Sequence, residues 1–348
     1  MSVDVQLTPR QREILRGVVE EYVATGQPVG SKTLVEKAEL RFGPSTVRAE
    51  LAELELHGLL THPHTSAGRI PTERGYRYYA DALLDRLDPH PPEFPLDLHT
   101  QRPEVEAALQ ATTEMLSHVT RLLALVSAPP LEATTVVHVE VLLLQPELVM
   151  VVVITSAGGV TKRLAHFDEP VDSGLAQWAG DYLNETVAGL QLGTTLLRRR
   201  FEDPSLSPRE RGFLAALRPA FTELVSAEQR LYVGGASDLL GDLRAGELEA
   251  YRSLFELVEK RVTLLEVLGD ASLEQRRAFV RVGHELEHPA LREIALVGAC
   301  YGLVHRALGA VSLVGPVRMD YEKALRAVRS AASELSRFAE SVYDERYR

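Results

Sequence analysis

The chain holds 348 residues, 45% hydrophobic and 25% charged, the proportions of an ordinary globular protein with room for two or three domains. Its net charge of −11 argues against a uniformly basic nucleic-acid binder, and a single cysteine, Cys300, excludes a disulfide framework or a cysteine-rich zinc site. The longest apolar run, Ile294 to Val304, is eleven residues, too short for a membrane span, and the amino terminus lacks a signal-peptide core, so a cytosolic protein without membrane contact is expected.

Thr8-Pro9-Arg10-Gln11 has the form of a capping box opening a first helix, whose Ile14, Leu15, Val18, Tyr22 and Val23 face inward and which ends near Gly26. After Pro28, Ser31 starts a short second helix carrying Lys32 and Thr33. Pro44 suits the first turn of a third helix, because it has no backbone N–H to leave unpaired, and Gly58 supplies the stop. Within it Val47, Leu51 and Leu54 recur at helical spacing and must pack inward. The opposite side presents Ser45, Thr46, Arg48 and Ala49, small or hydrogen-bonding residues suited to approach base edges and phosphates. Residues 59–71 then read as a hairpin whose small-residue tip includes His64, Ser66 and Arg69, placed to touch backbone phosphate or the minor groove. A further helix begins near Thr72. Helix, helix, turn, helix, hairpin is the winged helix-turn-helix order. Residues 1–87 hold 11 Lys/Arg against 12 Asp/Glu, leaving −10 to the remainder. DNA binding must therefore rest on local placement of Lys32, Arg41, Arg48, Arg69, Arg74 and Arg77, not on net charge.

Residues 88–103, with five prolines in sixteen positions, read as a semi-rigid linker. Pro103 opens a helical run through Val126. Three β-branched stretches between Thr134 and Phe167 read as antiparallel strands, and Ser173–Leu190 as an amphipathic helix. Glu293–Leu303 and Ala307–Val317 supply two more strands, and Asp320–Tyr343 a closing helix. The expected fold class is multidomain α+β, with a sensor-like domain over 104–199 and 274–348 and an insertion over 200–273.

Rival chemistries are weak. His284-Glu285-Leu286-Glu287-His288 satisfies the HExxH zinc-protease pattern, but His288 precedes Pro289, which disfavours helix there, and the preceding Phe279–Gly283 reads as a strand. His62 and His64 lack further ligands. Gly234-Gly235 fits a tight turn or an anion cradle at a helix start, Arg198-Arg199-Arg200 a solvated run or a partner-binding patch, and Cys300, between apolar neighbours, a structural thiol. No catalytic set, metal or cofactor is expected.

The segments YVATGQPVGSKTL, STVRAEL, HPHTSAGRIPTERGYRYY, LYVGGASDLL at 231–240 and LGAVSLVGPVRMDYEKAL at 308–325 resemble the HrcA family of heat-inducible transcription repressors over nearly the whole chain. Ala49 stands where the family usually carries Asn, and 88–103 departs from the family in length and content. The resemblance implies a GAF-like α+β domain with an inserted helical dimerisation segment. It also implies double-stranded DNA as partner, through an inverted-repeat operator of the CIRCE type before chaperone operons, and an active state supported by the GroEL chaperonin and lost on heat stress. Within the insertion Tyr251, Leu254, Phe255 and Val258 recur at helical spacing and are expected to form the homodimer interface. The alternative is a winged-helix regulator switched by a small ligand in the GAF-like domain.

Overall fold

The computed structural model describes residues 5–37, 42–64, 68–98, 104–129, 135–156, 160–192, 194–221, 231–236, 252, 278–286, 291–303 and 306–344. The amino-terminal unit contains α1 (Pro9–Thr25), α2 (Ser31–Lys37), α3 (Pro44–Leu56), a hairpin of β1 (Leu60–Thr61) and β2 (Ile70–Pro71), and α4 (Glu73–Leu84). Its helix ends follow the expected chemistry. Thr8 Oγ1 accepts from the Gln11 N–H at 3.2 Å while the Gln11 side chain accepts from the Thr8 N–H at 3.0 Å, and Gly26 closes α1 in the left-handed region at φ 68°. Val47, Leu51 and Leu54 are all buried, so the apolar stripe of α3 packs as its spacing requires.

Beyond the linker come α5 (Val105–Thr120) and β3 (Leu123–Ser127). The helical run expected through Val126 stops at Thr120, where Arg121 turns into the left-handed region at φ 58°, and Leu123–Val126 lies in strand. Each of Leu123, Ala124, Leu125 and Val126 is buried, and a continuous apolar run of this length carries no period to separate a doubly covered strand from helix.

That strand lies inside a five-stranded antiparallel sheet ordered β7-β3-β10-β9-β8, formed with β7 (Leu231–Gly234), β8 (Phe279–Val282), β9 (Ile294–Leu303) and β10 (Arg306–Pro316). Alternation divides its side chains between two cores. Ala124, Val126, Val297, Val311 and Leu313 join the core under α5 and the closing helix, while Leu123, Leu125, Ile294, Leu296 and Val314 join Phe279 on the other face.

The strands β4 (Val136–Gln145), β5 (Leu148–Thr155) and β6 (Val160–His166) do not share this sheet; they form their own, ordered β4-β5-β6. One face packs Val139, Val141, Val149, Val151 and Val153 against α6 (Ser173–Thr186), α7 (Thr195–Phe201) and α8 (Pro208–Leu217), a core separate from the other two. The other face is open. Leu142, Met150 and Leu164 stand in one row across the three strands, with Ile154 and Val160 paired nearby, and Leu142, Leu144, Val160 and Leu164 are 38%, 48%, 55% and 56% exposed.

The closing helix, α9 (Tyr321–Asp344), lies across β9 and β10. The linker is no loose tether: Leu98 is buried and its N–H donates to the Glu334 carboxylate at 2.9 Å, the Ser330 hydroxyl donates to the Pro92 carbonyl at 2.7 Å, and the Arg329 guanidinium donates to the Asp88 carbonyl. One continuous core runs from Leu7 and Ile14 of the amino-terminal unit to Phe338 of α9. Among the described residues, no helix is long and apolar enough to cross a membrane.

Candidate nucleic-acid interface

The residues singled out for DNA fall mainly on two helix starts. α2 and α3 pack together. The first carries exposed Lys32 and half-buried Thr33, and the second carries exposed Ser45, Arg48 and Ala49 with half-buried Thr46. Among the described residues neither Lys32 nor Arg48 has a carboxylate partner, whereas Arg10 pairs with Glu50 at 3.3 Å and Lys37 with Glu21 at 2.6 Å. Free cations on an exposed helix start can meet phosphate or a guanine edge without first breaking an ion pair. The acids of α3, Glu50, Glu53 and Glu55, all lie in its later turns, so any close approach to an anionic duplex is confined to the beginning of the helix.

The hairpin is held by a residue that sequence reasoning missed. Glu55 accepts from Arg69 at 2.7 Å through one carboxylate oxygen and meets His62 Nδ1 at 2.5 Å through the other, tying both strands of the hairpin to the end of α3. Arg69 is thus a neutralised group at the base of the hairpin and not the free cation at its tip. Its backbone also exchanges hydrogen bonds with Val29, at 2.8 Å each way. An acid at the end of a helix that precedes a hairpin bearing His and Arg was the available signal. His64 is exposed on the hairpin, while Ser66 at the tip lies outside the described residues. Arg41 does as well. Arg77 is engaged too, donating to the Val280 carbonyl and pairing with Asp81 and, at 3.4 Å, with Glu285.

Two glycines permit this close assembly. A Cβ on Gly68 would lie 2.5 Å from the Val29 carbonyl carbon, and one on Gly75 would lie 2.1 Å from the Leu59 carbonyl oxygen. Gly75→Ala is expected to destabilise the protein by about 1–3 kcal/mol, the usual range for overpacking, because backbone and not a flexible side chain must yield. A denaturation midpoint unchanged from the parent would contradict that packing.

The zinc-protease pattern takes another form. Gly283–Leu286 is a short 3-10 turn after β8, where the pattern needs a continuous helix, and His284 and Glu285 are engaged by Glu73 and Arg77. Residues 287–290 lie outside the described set, as do the expected interface residues Tyr251, Leu254, Phe255 and Val258. Among the described residues, one cleft of about 560 Å³ lies between α1 and α4 and another of about 400 Å³ between the linker and α9.

A family model described as HrcA protein C terminal domain matches residues 106–325. The heat-inducible transcription repressor HrcA of Streptomyces albus G is 36% identical over 339 residues, covering 94% of this chain and 97% of its own. That of Parafrankia sp. (strain EAN1pec) is 33% identical over 333 residues, covering 94% and 97%. A crystal structure described only as that of a hypothetical protein at 2.2 Å resolution matches with a TM-score of 0.61 at 24% identity, covering 97% of this chain and 98% of that one, a likeness of fold.

Proposed function

Since this chain belongs to the HrcA family of heat-inducible transcription repressors, we propose that it silences chaperone operons by setting two winged helix-turn-helix heads on a CIRCE-type inverted repeat. The observation that carries the DNA-reading part is the start of α3, where Arg48 is exposed and free of any carboxylate partner among the described residues, beside exposed Ser45 and Ala49. In this reading Arg48 reaches base edges, Lys32, Thr33, Ser45 and Thr46 position the backbone, and Ala49 lets the helix sit close. His64 and Ser66 touch the duplex from the wing, which Arg69 and Glu55 hold in place.

Arg48→Ala is expected to weaken operator binding by about 1–3 kcal/mol while leaving binding to random DNA nearly unchanged, because a base-reading arginine discriminates and a phosphate contact does not. Equal losses on both DNAs, measured at one salt concentration, would reassign Arg48 to the phosphate backbone.

The five-stranded sheet with α5 and α9 is the GAF-like domain in this proposal, and the unit from 135 to 221 belongs to the inserted segment. Two-fold pairing of the protein follows from the palindromic operator. The open face of β4-β6 supports a pairing surface there, since contiguous exposed apolar faces mark interaction sites. Expected in the cytosol, the repressor would keep its active state with the help of the GroEL chaperonin and lose it when heat-unfolded proteins occupy that chaperonin. A footprint over the promoters of chaperone operons, taken with and without chaperonin, tests the whole reading. Protection that is absent at every such promoter would refute it.

A further inference from the structure

Between the amino-terminal unit and the sheet domain lies a set of polar contacts that neither DNA reading nor core packing requires. Glu73, in the first turn of α4, accepts from the His284 N–H at 2.8 Å and meets His284 Nδ1 at 2.6 Å. One turn later Arg77 donates to the Val280 carbonyl and pairs with Glu285, which in turn accepts from the Val282 N–H at 2.9 Å. On the other flank the Arg318 guanidinium donates to the carbonyls of Tyr22 and Val23, at 3.4 and 3.0 Å, and lies 5.9 Å from the centre of the Tyr22 ring. The Tyr22 carbonyl also accepts from the Gly26 N–H that caps α1, so Arg318 adds to that acceptor a cation at the negative end of the helix dipole.

The first contact is built into the backbone. Gly283 adopts a φ of 52°, and a Cβ there would lie 2.6 Å from Glu73 Cδ and 2.8 Å from the Arg292 carbonyl oxygen. Only a residue without a side chain admits the Glu73 carboxylate at this point. The charges around it work in the opposite sense. Burial raises the Glu20 carboxyl above its ordinary range, Arg16 beside it opposes that rise, and Glu322 and Asp320 across the junction add to it. Like charges facing each other resist docking, so the pairs made by Glu73, Arg77 and Arg318 hold a junction that the carboxylates would otherwise loosen.

We infer that His284, Glu285 and Arg318 are positioning residues: they fix the angle at which the sheet domain presents the DNA-reading head, and so set which half-site spacing the paired protein accepts. This rests on the proposed reading of an inverted repeat by two heads. A head fixed at a defined angle meets its groove only when the second half-site has the right phase. Two added base pairs displace that half-site by about 7 Å and about 70°. A head freed from its clasp can follow the displacement. The His284-Glu285 portion of the zinc-protease pattern thus gains a role that needs no metal.

The test compares full-length wild type with two variants that undo the clasp by different means. Glu73→Ala combined with Arg318→Ala removes contacts on both flanks, and Gly283→Asp wedges a side chain against Glu73. Each protein is titrated with the natural operator, an operator lengthened by two base pairs at its centre, and a single half-site, alongside thermal melts and light scattering. The wild type is expected to lose about 100-fold or more on the lengthened operator, the lower end of the gain from paired binding. Both variants should lose less than about 10-fold on lengthening and bind the single half-site as the wild type does. A lengthening penalty that stays near the wild-type value in folded, paired variants overturns the inference. Losses on the half-site equal to those on the natural operator would place the defect within the head and overturn it as well. A wild type indifferent to spacing would instead refute paired reading itself, and the clasp's role with it.

Discussion

Leu142→Asp together with Leu164→Asp is expected to convert the protein to a folded monomer whose affinity for the full operator falls by about 10²–10⁴, while its affinity for one half-site stays unchanged. The two leucines flank Met150 in one row across β4, β5 and β6, on the face turned away from the core beneath α6. They are 38% and 56% exposed, so aspartate at either position stays within reach of water and should cost the fold little. In a paired surface the same carboxylates would be stripped of water without partners, which is strongly unfavourable. The size of the DNA effect follows from tethering: a second head joined to the first acts at an effective concentration near the millimolar range, and its loss removes the avidity without touching a DNA contact. Light scattering and half-site titration together check this. A variant that remains a dimer would move the pairing surface elsewhere, and Tyr251, Leu254, Phe255 and Val258 would be the next positions to change.

Tyr321→Ala is expected to destabilise the chain by about 3–5 kcal/mol, the range for truncating a large buried aromatic residue. Tyr321 is 1% exposed at the start of α9, its ring centre 5.9 Å from that of Tyr76 and 6.5 Å from that of Tyr79, the latter edge-on. It therefore fills the junction from the sheet-domain side while both partners come from α4. Burial pushes its hydroxyl well above the usual phenol range, and that hydroxyl donates to the Val317 carbonyl at 2.7 Å. Tyr321→Phe keeps the ring and should cost only about 1 kcal/mol. Denaturant unfolding of the two variants separates the effects, and near-equal losses would mean that the hydroxyl, and not the ring, holds the junction.

What the sequence disclosed was mostly local. Thr8 and Gln11 lie three residues apart, and the Val47, Leu51 and Leu54 stripe lies within one helix, so their partners are fixed by short-range geometry. The alternation of β5 was equally legible, because one face is covered and the other open. Leu123–Val126 was misread because burial on both faces erased the period. The sites suffered from distance. Arg69 and Arg77 were counted as DNA cations on their charge, yet Glu55 takes the first and Glu285, 208 positions away, shares the second. Nothing in the pattern around His284 announces that its carboxylate partner lies 211 residues earlier.

The continuous core from Leu7 to Phe338 also fixes an order of events during synthesis. The amino-terminal unit leaves the ribosome first, but the surface that orients it includes α9, the last helix described. At about 5–20 residues per second, the interval between the end of α4 and the start of α9 is some tens of seconds. Throughout that time Tyr76 and Tyr79 have no Tyr321 to rest against. A nascent chain thus owns its head long before it can aim it, and a prematurely ended one never can.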